Sequence, residues 1–365
     1  MPRPIEVVGT TTAGFVGLAP GGPVNQPVKL SQAADFAPVF GGFDAAMPLG
    51  HAVQHFFDNG GKEAHVVRVD LDANGFIGSE ADGSGLHALD KVDLFNVLVM
   101  PDSEVDVADR SAAVAYCERR RAMMINDLPE TVATVSAAEA WITALAPGLR
   151  SSNTAFYFPR IRASDPSMSG AVRTFPAAGA IAGLYARTDA TRGVWKAPAG
   201  NDAKLLGVAG LATDLGKTEN ARLNPLGLNC LRTFPSYGTV CWGARTARGA
   251  DNLADKFKYV PVRRLALMIE ESILRGTEWV ESQLNAEPVW AELRNTIGAF
   301  MHSLFKEGAF AGSTARESYF VKCDGSTTAQ ADIDAGNVSI EIGFAPLKRA
   351  EFIIIRIQQA AGGAA

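Results

Sequence analysis

The sequence predicts an α/β protein: a βα-alternating sheet domain, then a smaller α+β C-terminal domain, with extended arms at both termini. Three observations carry this. Over the first two-thirds, short apolar runs alternate with segments of helical periodicity, as in a mainly parallel sheet covered by helices. Near Leu228 the alternation gives way to a hairpin pattern, and after residue 258 two amphipathic helices precede three strand-like segments. Each end carries a strand-like stretch set off by turns containing Gly or Pro. A chain of 365 residues suggests about two domains. The expected division is an N-terminal arm at 1–12, the sheet domain at 13–246, the C-terminal domain at 247–348, and a C-terminal arm and tail at 349–365.

Residues 13–19 (AGFVGLA) are small or apolar throughout, as in a strand buried on both faces, and Pro20-Gly21-Gly22-Pro23 turns the chain after it. Ser31 is placed to cap a short helix through Phe40, stopped by Gly41-Gly42. Residues 49–58 read as a helix closed by Asn59-Gly60-Gly61. Strands follow at 65–69 and 95–100 and a helix at 106–121; buried strands at 122–125 and 155–158 then flank a helix at 137–145. Residues 228–234 and 239–245 enclose Pro235-Ser236-Tyr237-Gly238, a four-residue hairpin loop. The polar stretch 247–258 marks the boundary. Beyond it Val262, Leu265, Ile269 and Ile273 recur at helical spacing. A second helix carries Val289, Leu293, Ile297, Phe300 and Leu304 as its apolar stripe, with Glu292, Asn295, His302 and Lys306 on the other face. Strands at 318–323, 337–344 and 351–358 close the chain, and no internal repeat is found.

Composition excludes several classes. Apolar residues make up 47% and charged residues 20%, which rules out wholesale disorder. The formal charge of −5 argues against a basic nucleic-acid-binding protein. No run approaches the roughly 20 apolar residues that span a bilayer, and Phe352-Ile353-Ile354-Ile355 is broken at once by Arg356. The start has no apolar region behind basic residues, so no signal peptide is expected. Four cysteines without a Cys-x-x-Cys spacing read as buried, reduced thiols in a protein made in the cytoplasm.

Four motifs offer chemistry, and each has a simpler account. Asp70-Leu71-Asp72-Ala73-Asn74-Gly75 begins like a calcium loop, but its twelfth position is Ala81 and Glu80 comes one place early, so a polar turn is expected. His51 and His55 have zinc-sharing spacing on a helix. Yet Ala52 stands where a metalloprotease needs its Glu, and spacing offers no third ligand. Ser303-Leu304-Phe305-Lys306 lacks the companion motifs of serine–lysine acyl-transfer enzymes. Gly21-Gly22, Gly41-Gly42 and Gly60-Gly61 form neither a dinucleotide fingerprint nor a phosphate loop; Lys62 precedes a strand, not a helix. No catalytic residue, metal site or cofactor follows from this set.

The ends are more informative. Residues 4–8 and 351–358 are strand-like, and the latter is apolar at successive positions from Phe352 to Ile355, as if on both faces. Such a strand with an open edge is an aggregation hazard on a free monomer and becomes sensible if another chain completes the ladder. Ile5, Val7, Phe352, Ile353, Ile354, Ile355 and Ile357 are the candidate interface residues. Completion of its own domain's sheet is the simpler alternative.

Four segments stand out: TTAGFVGLAPGGPVNQPV at 11–28, FFDNGGKEAHVVRV at 56–69, AAGAIAGLYARTDATRGVWKAPAG at 177–200 and LNPLGLNCLRTFPSYGTVCWGART at 223–246. Through them, and over nearly its whole length, the chain resembles contractile tail sheath proteins, the subunits of contractile phage tails, R-type pyocins and extracellular injection systems. Residues 262–279, 287–308 and 318–359 complete the likeness in order. Members commonly carry a further strand-forming segment ahead of the stretch matching residues 2–9, leaving residues 4–8 as the candidate for any exchanged N-terminal strand.

The resemblance implies a structural, cofactor-free role. Subunits of such sheaths stack around an inner tail tube, joined by terminal arms that pair between subunits, and contraction drives the tube through a target envelope. Implied partners are other copies of the chain, the tube protein, and baseplate and tail-terminator proteins, with no nucleic acid and no membrane insertion. Assembly in the bacterial cytoplasm, as part of a phage tail or an extracellular injection particle, goes with it. The C-terminal domain would face the tube, making Arg294 and Lys306 candidates for pairing with tube carboxylates. Alternatives are a baseplate or tail-terminating paralogue of the sheath, and an enzyme of βα fold.

Overall fold

The computed structural model describes residues 4–71, 75–101, 105–347 and 352–361. The chain forms two compact units, one of Gly9–Arg263 and one of Met1–Val8 with Arg264–Ala365.

In the larger unit the expected βα alternation builds an eight-stranded sheet. Its first six strands are β1 (Ala13–Gly17), β2 (Val28–Leu30), β3 (Ala64–Arg68), β4 (Val97–Val99), β5 (Met123–Asp127) and β6 (Thr154–Phe158). Helices α1 (Phe36–Phe40), α2 (Leu49–Asp58), α3 (Val107–Arg119) and α4 (Val135–Thr143) lie between them in sequence. After β6 come β7 (Ile161–Asp165), β8 (Ala171–Phe175), α5 (Ala178–Arg192), β9 (Val208–Leu211), α6 (Lys217–Leu223), β10 (Leu228–Phe234) and β11 (Gly238–Cys241). The large sheet runs β11-β10-β6-β5-β4-β1-β3-β2, while β8-β7-β9 form a separate antiparallel sheet. Only the edge strands β2 and β11 run antiparallel to their neighbours in the large sheet.

Successive side chains on a strand point to opposite faces, so one apolar run feeds two cores. Phe15 joins Phe36, Phe40 and Phe56 on one side, and Val16 joins Leu86, Leu98 and Met124 on the other. Both sheet edges are blunted. β2 is three residues long, with Lys29 paired to Glu63 at 2.6 Å. The outer edge of β11 is covered by the chain at 203–205, which exchanges backbone hydrogen bonds with Thr239 and Cys241.

Helices α2 and α5 pack at backbone contact. A Cβ on Gly179 would lie 2.3 Å from the Ala52 carbonyl oxygen, and one on Gly183 would lie 2.2 Å from that of Phe56. The two glycines stand four apart and share one helix face. The N-terminus of α5 is capped from β5: the Asp127 carboxylate accepts from the Ala177 and Ala178 amides at 2.6 and 3.0 Å. Burial pushes this carboxyl up from its ordinary value, against the pull of Arg160 and the two amides.

Several expectations change in detail. Ser31 does not cap the first helix; Gln32 and Asp35 do, and Ser31 gives its amide to the Asp35 carboxylate at 3.0 Å. The hairpin loop is one residue shorter, because Gly238, at φ +74°, already pairs with Phe234. Its second strand stops at Cys241, since the Asn229 side chain binds both the amide and the carbonyl of Arg245 at 2.7 Å. The β7–β8 hairpin had no clear apolar run: β7 alternates buried and exposed residues, and β8 buries only Phe175.

The smaller unit contains most of α7 (Val260–Gly276), then α8 (Glu287–Lys306), α9 (Ala315–Ser318), β12 (Tyr319–Lys322), α10 (Gln330–Asp334), β13 (Asn337–Phe344) and β14 (Ile353–Ala360). Its sheet is antiparallel in the order β12-β13-β14. Val289, Leu293, Ile297, Phe300 and Leu304 of α8 are buried as their spacing requires, along with Val338, Ile340, Ile342 and Phe344 of β13. The four cysteines are unpaired and buried, and burial pushes the thiols of Cys230, Cys241 and Cys323 up to about 12.

Candidate assembly surface and family

The strand-forming tendency of the isoleucine-rich C-terminus is satisfied within its own unit. β14 pairs with β13 of the same chain in unbroken register, from Phe344 opposite Ile353 to Asn337 opposite Ala360. The terminal strand is therefore not unpaired in the single chain. From Phe352 to Ile355 it is apolar on both faces, as expected, but only one face is buried: Ile353, Ile355 and Ile357 point into the core, whereas Phe352 and Ile354 are about 40% exposed. Alternation makes one face core and the other surface. Glu351, where the expected strand began, lies outside the described residues.

The outward face carries two cross-strand rows, set by register. One is apolar, with Phe320, Gly343 and Ile354 side by side. A Cβ on Gly343 would come within 2.1 Å of the Phe320 ring, so glycine lets that ring lie flat across the sheet. Phe320 also stacks with Phe352, with centroids 6.1 Å apart. The second row is charged: Lys322, Glu341 and Arg356, with Arg356 Nε 3.2 Å from the Glu341 carboxylate. Beside it a groove of about 610 Å³ is lined by Lys322, Ser326, Asp332, Ser339 and Gln358. Sheet order ends at β14, so within the described residues its outer edge meets no further strand. A half-apolar face next to an open edge can accept an extended segment of another chain. Phe320 and Gly343 escaped the sequence reading, although a glycine inside a strand marks close approach.

The remaining candidates sit elsewhere. Residues 4–8 form no strand; Ile5 packs its side chain where a Cβ on Gly276 would stand, and the Val8 amide donates to the Ser272 hydroxyl at 3.1 Å. Val7 is exposed. Arg294 is braced by its own chain, donating to Glu287 at 2.5 Å and to the Cys323 carbonyl. Lys306 is exposed, about 18 Å further along α8 and about a third of a turn round it, so the two cations share no single stripe.

The bait motifs take structural partners. Asp70 pairs with Arg68 at 2.7 Å, and residues 72–74 of that turn lie outside the described residues. His51 Nε2 lies 2.9 Å from a buried Asp165 oxygen, and the Ser303 hydroxyl donates to the Phe300 carbonyl at 2.7 Å. Among the described residues no three His, Cys, Asp or Glu side chains gather to hold a metal.

Comparison with known proteins identifies the fold. A family model for the phage tail sheath protein central domain matches residues 84–247, and one for the phage tail sheath C-terminal domain matches residues 254–360. The chain is 29% identical over 184 residues to the tail sheath protein of Vibrio phage KVP40, covering 50% of this chain and 26% of that protein. It thus spans about a quarter of that relative's length. A prophage major tail sheath protein of Pseudomonas aeruginosa is 26% identical over 354 residues, covering 92% of this chain and 86% of the relative. Among solved structures, the PVC sheath complex of an extracellular contractile injection system, in its contracted state, superposes with a TM-score of 0.78 at 27% identity, covering 98% of this chain and 93% of that one. A chain of the anti-feeding prophage baseplate gives 0.74 at 27% identity, covering 98% and 96%. With the two domain models matching in order across most of the sequence and the solved sheath superposing along almost all of it, the chain belongs to the phage tail sheath protein family.

Proposed function

We propose that this chain is a structural, non-catalytic subunit of a contractile sheath, polymerising around an inner tube and contracting to drive that tube through a target envelope. The observation that supports this best is the near full-length likeness to a sheath solved in its contracted state. The smaller unit's sheet supplies a route to polymerisation. Residues 345–352 join β13 to β14, and a β14 that pairs with the next subunit's β13 remakes the same ladder and buries the same isoleucines. Exchange of identical elements costs little in contacts and links subunits into a chain. Partners on this reading are further copies, the tube, and baseplate and terminator proteins; the particle is assembled in the bacterial cytoplasm and needs neither cofactor nor nucleic acid.

The tube contact is proposed on α8 at two separate points, Arg294 and Lys306, about a third of a turn apart. Exposed ion pairs contribute about 0–1 kcal/mol each, so a row of them sets register yet releases subunit by subunit. Electron microscopy of the chain co-expressed with its tube tests both claims. Wild type is expected to form long sheaths around tube, and Arg294→Glu with Lys306→Glu to form short sheaths lacking it. Normal filled sheaths in the double variant would move the contact elsewhere. The likeness to a baseplate chain favours a second reading, a paralogue at the end of the tube; discrete rings instead of long sheaths would select it, and monodisperse globules would remove both.

A further inference from the structure

Beneath the β7–β8 hairpin, α2 places two histidines one turn apart, both buried, at 2% and 5% exposure. Phe175, the last residue of β8, lies against both: His51 stacks on it at 4.6 Å and His55 meets it edge-on at 5.4 Å. The rest of β8 is largely exposed, so this contact is the strand's main apolar attachment. His51 is also tied to the hairpin through Asp165. That carboxylate accepts from His51 at 2.9 Å, from the Ser167 amide and hydroxyl at 2.8 and 2.6 Å, and from Arg173 at 2.7 Å. Burial opposes the charge on Asp165, yet the bonds from Ser167, His51 and Arg173 hold its carboxyl well below the usual range. This anchor therefore persists in acid.

His55 is placed differently. Its Nδ1 is buried without a partner, like that of His51. Among the described residues no carboxylate comes to it from any element packed on α2. On α2 itself, Asp58 takes the Gln54 amide at 2.7 Å. From α5 come Gly179 and Gly183, and Arg187, which binds the Asn59 carbonyl at 2.9 Å. Asp35, ahead of α1, is occupied by the Ser31 and Gln32 amides, and β1 contributes Phe15 against Phe56. From the hairpin, Asp165 and Arg173 are engaged with each other and with His51. A proton on His55 would be a buried charge facing a second histidine, with no counter-ion.

We propose that His55 is an acid-sensitive latch: neutral, it lets β8 close over α2 through Phe175, and protonated, it frees β8 while β7, tied to α2 by Asp165, and the eight-stranded sheet stay in place. Opening β8 is the cheapest way to hydrate the ring, because it gives up one buried side chain, Phe175, with the Arg173–Asp165 pair and a short ladder to β7. Burial, and then His51, push the His55 pKa down to about 4, from an ordinary 6.5. A folded-state value below the open-state value means that the open form takes up the proton first. Latch stability is thus full above pH 6.5 and falls as pH drops toward about 4.

Hydrogen exchange on the full-length chain, corrected for intrinsic rates, tests this. From pH 8 to pH 4.5, amides of residues 171–175 are expected to open about 70-fold more often in wild type and less than about 3-fold more in His55→Phe, with β5 and β6 unchanged in both. An equal acid response in His55→Phe, or equal loss of protection in β5 and β6, overturns the proposal. Should that variant fail to fold, NMR of histidine-labelled wild type decides: a His55 midpoint near 4 supports the latch, and one near 6.5 overturns it.

Discussion

Gly183→Leu is expected to abolish folding of the larger unit. A Cβ there meets the Phe56 carbonyl at 2.2 Å and the Asn59 side chain at 2.8 Å. Side-chain overpacking typically costs about 1–3 kcal/mol because neighbours can repack. Here the obstacle is helix backbone, so α2 and α5 must separate and uncover Phe56, Ala180 and Leu184 of the core. That loss is comparable to the ~5–15 kcal/mol that holds a typical domain together. Gly298 provides the opposite case, a helical glycine whose Cβ would meet nothing within 4 Å. Gly298→Ala should stabilise its helix by about 0.5–1 kcal/mol through propensity alone. Circular dichroism melts of the two variants check the argument. A soluble Gly183→Leu melting within a few degrees of wild type would mean that the close α2–α5 approach is wrong.

Deleting residues 350–365 is expected to leave the larger unit folded and to eliminate polymerisation. The deletion removes Ile353, Ile355 and Ile357 from the smaller unit's core and leaves β13 without its partner. Full burial of each such side chain is worth roughly 1.5–3 kcal/mol, so the smaller unit should loosen, while the two cores of the larger unit are untouched. Ile354→Pro is the milder form: the side chain faces outward, but proline removes a backbone donor. It should impair assembly more than it lowers the melting temperature. Tubes of wild-type length from the deletion, seen by negative-stain microscopy, would show that β14 connects nothing.

Legibility in the sequence followed how local the cause was. The bounds of α2 at 49 and 58 were readable because Asn59-Gly60-Gly61 stops the helix in place. The α8 stripe was readable because burial repeats with the helical period. The β7–β8 hairpin was not, since β8 is held by one buried residue and by Arg173 reaching Asp165. Ser31 lost the capping role to Gln32 and Asp35, whose carboxylate reaches back to the Ser31 and Gln32 amides. The Phe352–Ile355 run announced a strand but not its faces; that needed register with β13, which a single segment does not encode. His51 and His55 were visible as a pair. Asp165, the partner of His51, stands 114 residues away in sequence and meets it only through topology.

Strand exchange between subunits is the central claim, and Ser339 and Gln358 measure it most directly. They stand opposite each other on β13 and β14 and both line the open groove, a spacing that suits a disulfide between cysteines. Ser339→Cys and Gln358→Cys chains would be purified separately, mixed, assembled and oxidised. The account predicts covalent dimers in assembled tubes and none in unassembled chains. Tubes that yield no dimer from the mixture, while a chain carrying both cysteines closes on itself within the tube, would show that β14 stays at home and that other contacts build the polymer.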